Sequence, residues 1–308
     1  MSCSFMELPP NRRAAVISIL ILLIGLVFGL SLHANAHIPQ PWNRVSSIIG
    51  WIYFFCWSVS FYPQVFLNRA RQSVVGLSLD YTMLNMLGFM CYSIFNVAFY
   101  YSESVQQQYM RRHDGHRNAV ELNDVFFSLH AALLVAVSLY QCYLYPRGDQ
   151  TLKPITILWS FGTCVAALLF GLVILFTGNA TTSIVFNTLN LLYMFSYVKL
   201  LTSLVKCLPQ IVLNYQRKST VGWTIWNVLL DMAGGVLSIG QQVLDAKATN
   251  DWSAMTGNPV KFSLGFVSIF VDVVFLLQHY VFYADRTKFL GGESDPFLPK
   301  EVATGATI

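Results

Sequence analysis

Apolar residues in this chain come in long runs, and polar residues are confined to the short stretches between them. After a first run from Ala14 to Leu32, seven more occupy about Ser47–Leu67, Leu79–Tyr100, Asp124–Tyr145, Ile155–Phe176, Ser183–Val205, Thr224–Val243 and Phe262–Tyr283. Each approaches the roughly 20 residues that a helix needs to cross a bilayer core of about 30 Å. The pattern predicts an all-α polytopic membrane protein. Composition agrees: 55% of the 308 residues are hydrophobic and only 11% are charged, against roughly a quarter charged in an ordinary soluble domain. The net charge of +4 is small and scattered among the loops, which argues against a nucleic-acid partner.

The first run is preceded by Arg12-Arg13 and followed by Ala34-Asn35-Ala36. A charged flank, a hydrophobic stretch and a small-x-small site make a secretory signal peptide, yet the run is also long enough to span. Residues 1–36 are therefore read as a signal peptide or a signal-anchor helix, the two standing level. Either outcome keeps Arg12-Arg13 in the cytosol and delivers His37–Arg44 to the lumen. After the first run the cytosolic side holds nine further basic residues, Arg69, Arg71, Arg147, Lys153, Arg217, Lys218, Arg286, Lys288 and Lys300, against six on the lumenal side, Arg44, Arg111, Arg112, Arg117, Lys247 and Lys261. This is a modest positive-inside bias. The single sequon, Asn179-Ala180-Thr181, falls in an expected lumenal loop, but so near the membrane that it makes a poor glycosylation site.

A fifteen-residue motif occurs twice. Tyr62-Pro63-Gln64-Val65-Phe66-Leu67-Asn68-Arg69-Ala70-Arg71-Gln72-Ser73-Val74-Val75-Gly76 returns 146 residues later as Leu208-Pro209-Gln210-Ile211-Val212-Leu213-Asn214-Tyr215-Gln216-Arg217-Lys218-Ser219-Thr220-Val221-Gly222. Pro, Gln, Leu, Asn, Arg, Ser, Val and Gly coincide in order. A proline near the end of a membrane helix removes a backbone donor and loosens the helix, so Pro63-Gln64 and Pro209-Gln210 are read as matched hinges. Gln64 and Gln210 are expected to satisfy the backbone that each proline frees, with bonding across the bundle as the alternative. At the same offset Gly88 matches Gly234 and Asn85 matches Asp231. Asp124-Val125-Phe126-Phe127 resembles Asp272-Val273-Val274-Phe275 at an offset of 148, which predicts two third-helix aspartates in matching places. The halves are then three-helix units at residues 47–145 and 183–283, joined by a linker helix at 155–176 and followed by a cytosolic tail, 284–308. An odd number of helices per unit plus one linker gives both units the same orientation, a parallel repeat.

Ionisable residues within membrane segments are functional candidates by default. Five qualify: Asp124, Lys199, Lys206, Asp231 and Asp272. Asp124 could instead be a helix N-cap, and Asp231 or Asp272 could form a structural ion pair with Lys199 or Lys206. A carboxyl in a low-dielectric site is shifted up by desolvation and down by a nearby ammonium, which lets it load a proton from an acidic lumen and release it to a neutral cytosol. Asp231, the carboxylate opposite Asn85, is the asymmetric member and the first choice for coupling. Asn85, Asn227 and Lys199 could converge on one cavity, and Trp57 and Phe61 lie one turn apart before the first Pro-Gln pair, as contacts or as packing. Of six cysteines, five lie in apolar segments without metal-ligand spacing, so buried thiols are expected and no metal or cofactor. No nucleophile and base share neighbouring turns, which leaves nothing to suggest an enzyme.

The stretches Trp57-Ser58-Val59-Ser60-Phe61-Tyr62-Pro63-Gln64, Asn123-Asp124-Val125-Phe126-Phe127-Ser128-Leu129-His130, Lys218-Ser219-Thr220-Val221-Gly222-Trp223, Asn227-Val228-Leu229-Leu230-Asp231, Asp272-Val273-Val274-Phe275 and Gln278-His279-Tyr280 resemble the cystinosin branch of the PQ-loop family, over roughly Ile49–Tyr283. The resemblance implies the seven-helix PQ-loop transporter fold and symport of L-cystine with protons from an acidic lysosomal or vacuolar lumen across the membrane to the cytosol. It implies proton coupling by Asp124, Asp231 and Asp272, and substrate contact by Trp57, Phe61, Asn85, Lys199, Asn227 and Asp231. Lys206 and Asn214 also match positions on which the family depends. Animal members carry a long glycosylated lumenal domain, where only about His37–Ser46 stands here, and a tyrosine-based sorting signal that the tail does not contain. The rivals are a carrier of cationic amino acids, which carboxylates also suit, a sugar carrier, which needs no membrane charge, and a non-transporting receptor of the same fold, which would call for a basic cavity.

Overall fold

The computed structural model describes residues 10–32, 34, 38–113, 120, 122–178, 183–250, 252 and 259–284. Cys3, the sequon at Asn179 and the tail beyond residue 284 lie outside them. The helices are α1 Pro10–Ser31, α2 Trp42–Ser60, α3 Tyr62–Arg71, α4 Leu79–Tyr101, α5 Glu103–Arg112, α6 Leu122–Leu144, α7 Pro154–Thr177, α8 Thr188–Val205, α9 Cys207–Arg217, α10 Ile225–Thr249 and α11 Pro259–Leu277, the last closing in a π turn, Gln278–Phe282. Among the described residues, five stretches can cross a membrane by length and composition: Trp42–Arg71, Leu79–Tyr101, Asp124–Leu144, Pro154–Thr177 and Thr188–Arg217. α10 and α11 stand where the other two expected spans belong. α10 has the length, 25 residues, but Asp231, Gln241, Gln242, Asp245 and Lys247 dilute its apolar character.

The prolines neither end their helices before a loop nor leave one helix unbroken. α2 gives way to α3 at Phe61 (φ −75°, ψ −30°), and α8 to α9 at Lys206 (φ −55°, ψ −32°). Both joints keep right-handed helical angles. Pro63 and Pro209 sit in the first turn of the new helix, where a missing N–H costs nothing. Each apolar segment is thus a jointed pair of helices extending past its expected end, to Arg71 and to Arg217. Arg69, Arg71 and Arg217 occupy the last turns, where cations complement the helix dipole.

By contact the chain forms two compact units. In the first, Met1–Ser60 with Ile225–Leu276, α2 packs against α10 and against α1; in the second, Phe61–Thr224 with Leu277–Ile308, α4 is central and packs against α6, α8 and α7. The helix partners are reciprocal between the repeats. The first helix of one half lies on the second helix of the other, α2 on α10 and α8 on α4. Gly234 on α10 and Gly88 on α4 mark the same place in each pairing: a Cβ at Gly234 would stand 2.5 Å from the Trp57 indole nitrogen, and one at Gly88 would stand 3.5 Å from the Lys199 stem.

α7, the linker, reads inside-out relative to a soluble helix. Ile155, Leu158, Phe161, Leu168 and Leu175 are exposed, whereas Thr156, Ser160 and Thr163 are buried. Lipid is as apolar as leucine, so burying leucine there gains little and small polar side chains mediate helix contact instead. Trp159 on this helix donates its indole N–H to Thr202 Oγ1 at 3.1 Å. Of the five described cysteines, all free thiols, Cys56, Cys91 and Cys142 are buried as expected, whereas Cys207 is half-buried and Cys164 is exposed.

Candidate transport site

The two motif copies close on each other within the second unit. Gln64 donates through Nε2 to Asn68 Oδ1 (2.8 Å) and to the carbonyl of Gly222 (2.9 Å), and its Oε1 accepts from Thr224 N (2.9 Å). Gln210 repeats this in mirror: Nε2 to Asn214 Oδ1 (2.9 Å) and to Gly76 O (2.8 Å), with Oε1 accepting from Ser78 N (2.6 Å). Each glutamine is buried and serves the backbone of the other copy. The alternative of bonding across the bundle therefore holds, in place of a bond to the proline's own helix. Arg71 Nη1 reaches Val75 O at 2.9 Å and Arg217 Nη1 reaches Val221 O at 2.8 Å.

Glycine is required at the crossing. Gly76 (φ +103°) and Gly222 (φ +91°) lie in a region that L residues rarely adopt, and a Cβ on either would stand 2.0 Å from the carbonyl oxygen of Val221 or Val75. Gln72 (φ 47°) and Lys218 (φ 49°) supply the matching left-handed ends of α3 and α9.

A second mirrored pair corrects the predicted match of aspartates. Asn68 Nδ2 donates to Gln141 Oε1 (2.9 Å) and Gln141 Nε2 to Val65 O (3.0 Å); Asn214 Nδ2 donates to Gln278 Oε1 (3.0 Å) and Gln278 Nε2 to Ile211 O (3.0 Å). Gln278 is thus the equivalent of Gln141, at an offset of 137 residues (278 − 141). The starts of α6 and α11, Leu122 and Pro259, differ by the same 137. α5, inserted between α4 and α6, shortens the offset from 146. Asp124 then matches Lys261, and Asp272 matches Val135. Asp124 lies 17 residues before its glutamine, whereas Asp272 lies 6 before its own. The local similarity at offset 148 joined residues at different levels of the two helices.

In the first unit four candidates stand around the α2–α10 pair and α11. Asn227 is one turn before the half-buried Asp231 on α10. Trp57 donates its indole N–H to Asp231 O at 3.3 Å, and Ser268 Oγ donates to Asp231 Oδ2 at 3.1 Å. Ser268 is one turn before Asp272, which is 5% exposed. The Asp231 carboxylate is thereby held one turn along α11 from a second, buried carboxyl.

In the second unit the candidates gather on Phe89. Phe61 packs edge-on against it (centroids 5.3 Å) and Phe127 likewise (6.2 Å). Lys199 Nζ sits 3.8 Å from the Phe89 ring centroid and 5.5 Å from that of Tyr92, within cation–π range. Lys206 Nζ donates to Asn85 Oδ1 at 3.0 Å and lies 5.8 Å from the same Phe89 ring. Asp124 is the third residue of α6 rather than its cap, and its carbonyl accepts from Asn96 Nδ2 at 3.2 Å. Sequence reading missed Phe89, Ser268 and Gln141. Tyr81, Asn85, Phe89 and Tyr92 share one face of α4 at spacings of four, four and three, a signal visible only once Asn85 is known to face α8.

Comparison with known proteins adds the lineage. The PQ loop repeat model matches residues 45–105 and 191–248, two blocks whose starts are 146 apart. The chain is 46% identical over 244 residues to cystinosin of Bos taurus, covering 79% of this chain and 64% of that protein. It is 41% identical over 239 residues to the cystinosin homolog of Dictyostelium discoideum, covering 78% and 81%. The chain belongs to the cystinosin family. A more distant relative, 26% identical over 257 residues and covering 77% of this chain and 94% of that protein, is the cystine transporter of Saccharomyces cerevisiae. Like several animal cystinosins it matches, the Bos protein is longer: this chain spans less than two thirds of their length. Membership accounts for the mirrored clasp, because PQ-loop repeats supply both halves of it.

Proposed function

We propose that this cystinosin-family protein is a proton-coupled symporter that moves L-cystine from an acidic lumen, lysosomal or vacuolar, to the cytosol by alternating access. The observation that carries the reading is Asp231, a half-buried carboxylate on a membrane helix, held by Ser268 and flanked by Trp57 and Asn227, in a chain whose relatives include a cystine transporter. Asp231 is the coupling residue of the proposal, with Asp272 and Asp124 as the other two proton-carrying positions. Substrate contact is assigned to Trp57, Asn227 and Asp231 in the first unit and to Phe61, Asn85 and Lys199 in the second. Pro63 and Pro209 are the flexing points, beside the joints at Phe61 and Lys206. Gln64, Gln210, Lys206 and Asn214 support them through the bonds described above.

Cystine carries two ammonium and two carboxylate groups around an apolar disulfide. Symport requires proton and cystine to travel together: in this reading the carboxyl takes a proton in the acidic lumen as cystine binds, crosses in the neutral form, and gives the proton to the cytosol as cystine leaves. The test is uptake of labelled cystine by cells displaying the full chain at their surface, at acidic and at neutral external pH. Faster uptake at acidic pH is the expected result. Cystine flux indifferent to external pH would remove the coupling, and lysine flux without cystine flux would replace the substrate by a cationic amino acid.

A further inference from the structure

α1 was left between a cleaved leader and a retained helix by its sequence. At 22 residues and about 1.5 Å per residue it is about 33 Å long, enough to span. From Val16 onward, where its side chains are described, the buried positions are Ile21, Gly25 and Gly29, spaced by four, which is one ridge of a helix. Ile19, Leu22, Leu23 and Val27 on the remaining surface are more than half exposed, as in a helix facing lipid.

The ridge is fitted to α2 at backbone distance. A Cβ on Gly25 would stand 2.9 Å from Ile52 Cα, and one on Gly29 would stand 2.5 Å from Ile48 Cα. Only glycine allows these approaches, and two glycines four apart are the usual means by which membrane helices pack closely. A secretory leader needs hydrophobicity alone, with no such spacing. Phe28 adds contacts to Trp51 (5.0 Å) and Phe55 (5.4 Å).

A second, independent feature closes the far end. Arg44 Nη1 reaches the carbonyls of Leu32 (2.7 Å), Leu30 (3.1 Å) and Gly29 (3.5 Å), the orphan acceptors at the C-terminus of α1. Cutting after Ala36 would take those acceptors from Arg44 and uncover the α2 backbone at Ile48 and Ile52. We infer that α1 is not a leader but a permanent membrane helix of the mature protein, seated on α2 through Gly25 and Gly29 and capped by Arg44. It buttresses the helix that carries Trp57.

The experiment uses the full chain with one epitope at each end, expressed in cells. A single species carrying both epitopes is expected. A shortened species that keeps only the C-terminal epitope would overturn retention. Seating is tested separately by pairing Phe28→Cys with Trp51→Cys, whose parent rings meet at 5.0 Å without touching the glycine ridge, and placing a protease site between residues 36 and 40. After treatment in the membrane with a short reducible thiol cross-linker and cleavage, both epitopes should migrate together without reductant and apart with it. The single variant Phe28→Cys should give no such link. Both epitopes present but no link in the double variant would place α1 elsewhere and overturn the seating on α2. These outcomes do not involve transport, so they stand apart from the test of cystine flux.

Discussion

Asp231 and Asn85 occupy equivalent repeat positions yet meet different partners: Asn85 accepts from the Lys206 ammonium and Asp231 accepts from the Ser268 hydroxyl. The repeat keeps the place and changes the side chain, which puts a carboxyl in one half where the other has an amide. Asp231→Asn is expected to abolish pH-driven flux while the protein still folds, since an amide retains the shape and can still bond Ser268; a normal pH-driven current in that variant would show that another carboxylate couples. Gly234→Val is expected to lower flux as well, because its side chain must displace the Trp57 indole; folded yield by size-exclusion chromatography separates this from collapse.

Asp245 gives a prediction about pH. It lies beyond the apolar stretch of α10, and burial raises its pKa, with a bond to Ser46 opposing the rise. A carboxyl raised in the folded state binds more protons folded than unfolded between its ordinary value, about 4, and its raised value. Its favourable effect is therefore present at the acid end of that window and is lost as pH rises through it. Asp245→Asn should flatten the fall in melting temperature between acidic and neutral buffer, measured on the detergent-purified protein. An unchanged slope would mean that the burial costs nothing.

At the scale of elements, the mirrored glutamines convert two loops into one clasp. Removing Gln64 by Gln64→Ala leaves the Thr224 N–H and the Gly222 carbonyl without their buried partner, at about 1–3 kcal/mol for each unsatisfied group. Gln210→Ala should cost a similar amount. The double variant should cost less than the sum of the two, because neighbouring interactions couple; additive losses in melting temperature would show two independent loops. Gly76→Ala should be worse than either, since both its φ and the 2.0 Å approach to Val221 O forbid a Cβ. A break in each helix beside its proline was legible in the sequence, and the joints at Phe61 and Lys206 lie there. The glutamine bonds were not legible, because their acceptors lie in the other copy, 158 and 134 residues away.

For the whole molecule, the orientation follows from basic residues near the membrane and can be checked on the second unit. Arg111, Asp149 and Lys218 are all exposed. With the protein displayed at the cell surface, an impermeant thiol reagent should label Arg111→Cys on intact cells, and Asp149→Cys and Lys218→Cys only after permeabilisation. Labelling in the reverse order would invert the proposed direction of transport.

Hydrophobic run length, two copies of a proline-glutamine motif and a handful of charges were enough to give the helical class, the repeat and most candidate residues. Those features are local or strictly periodic, and the bilayer enforces them on any sequence that spans it. The level at which Asp124 and Asp272 stand was decided only by tertiary structure. α5 changes the offset of the third helices from 146 to 137, and a short run of similar residues cannot reveal that its helices are shifted. The clustering on Phe89, the reciprocal clasp and the seating of α1 were likewise out of reach. Each depends on side chains meeting across helices far apart in sequence, and no pattern along the chain records which faces will meet.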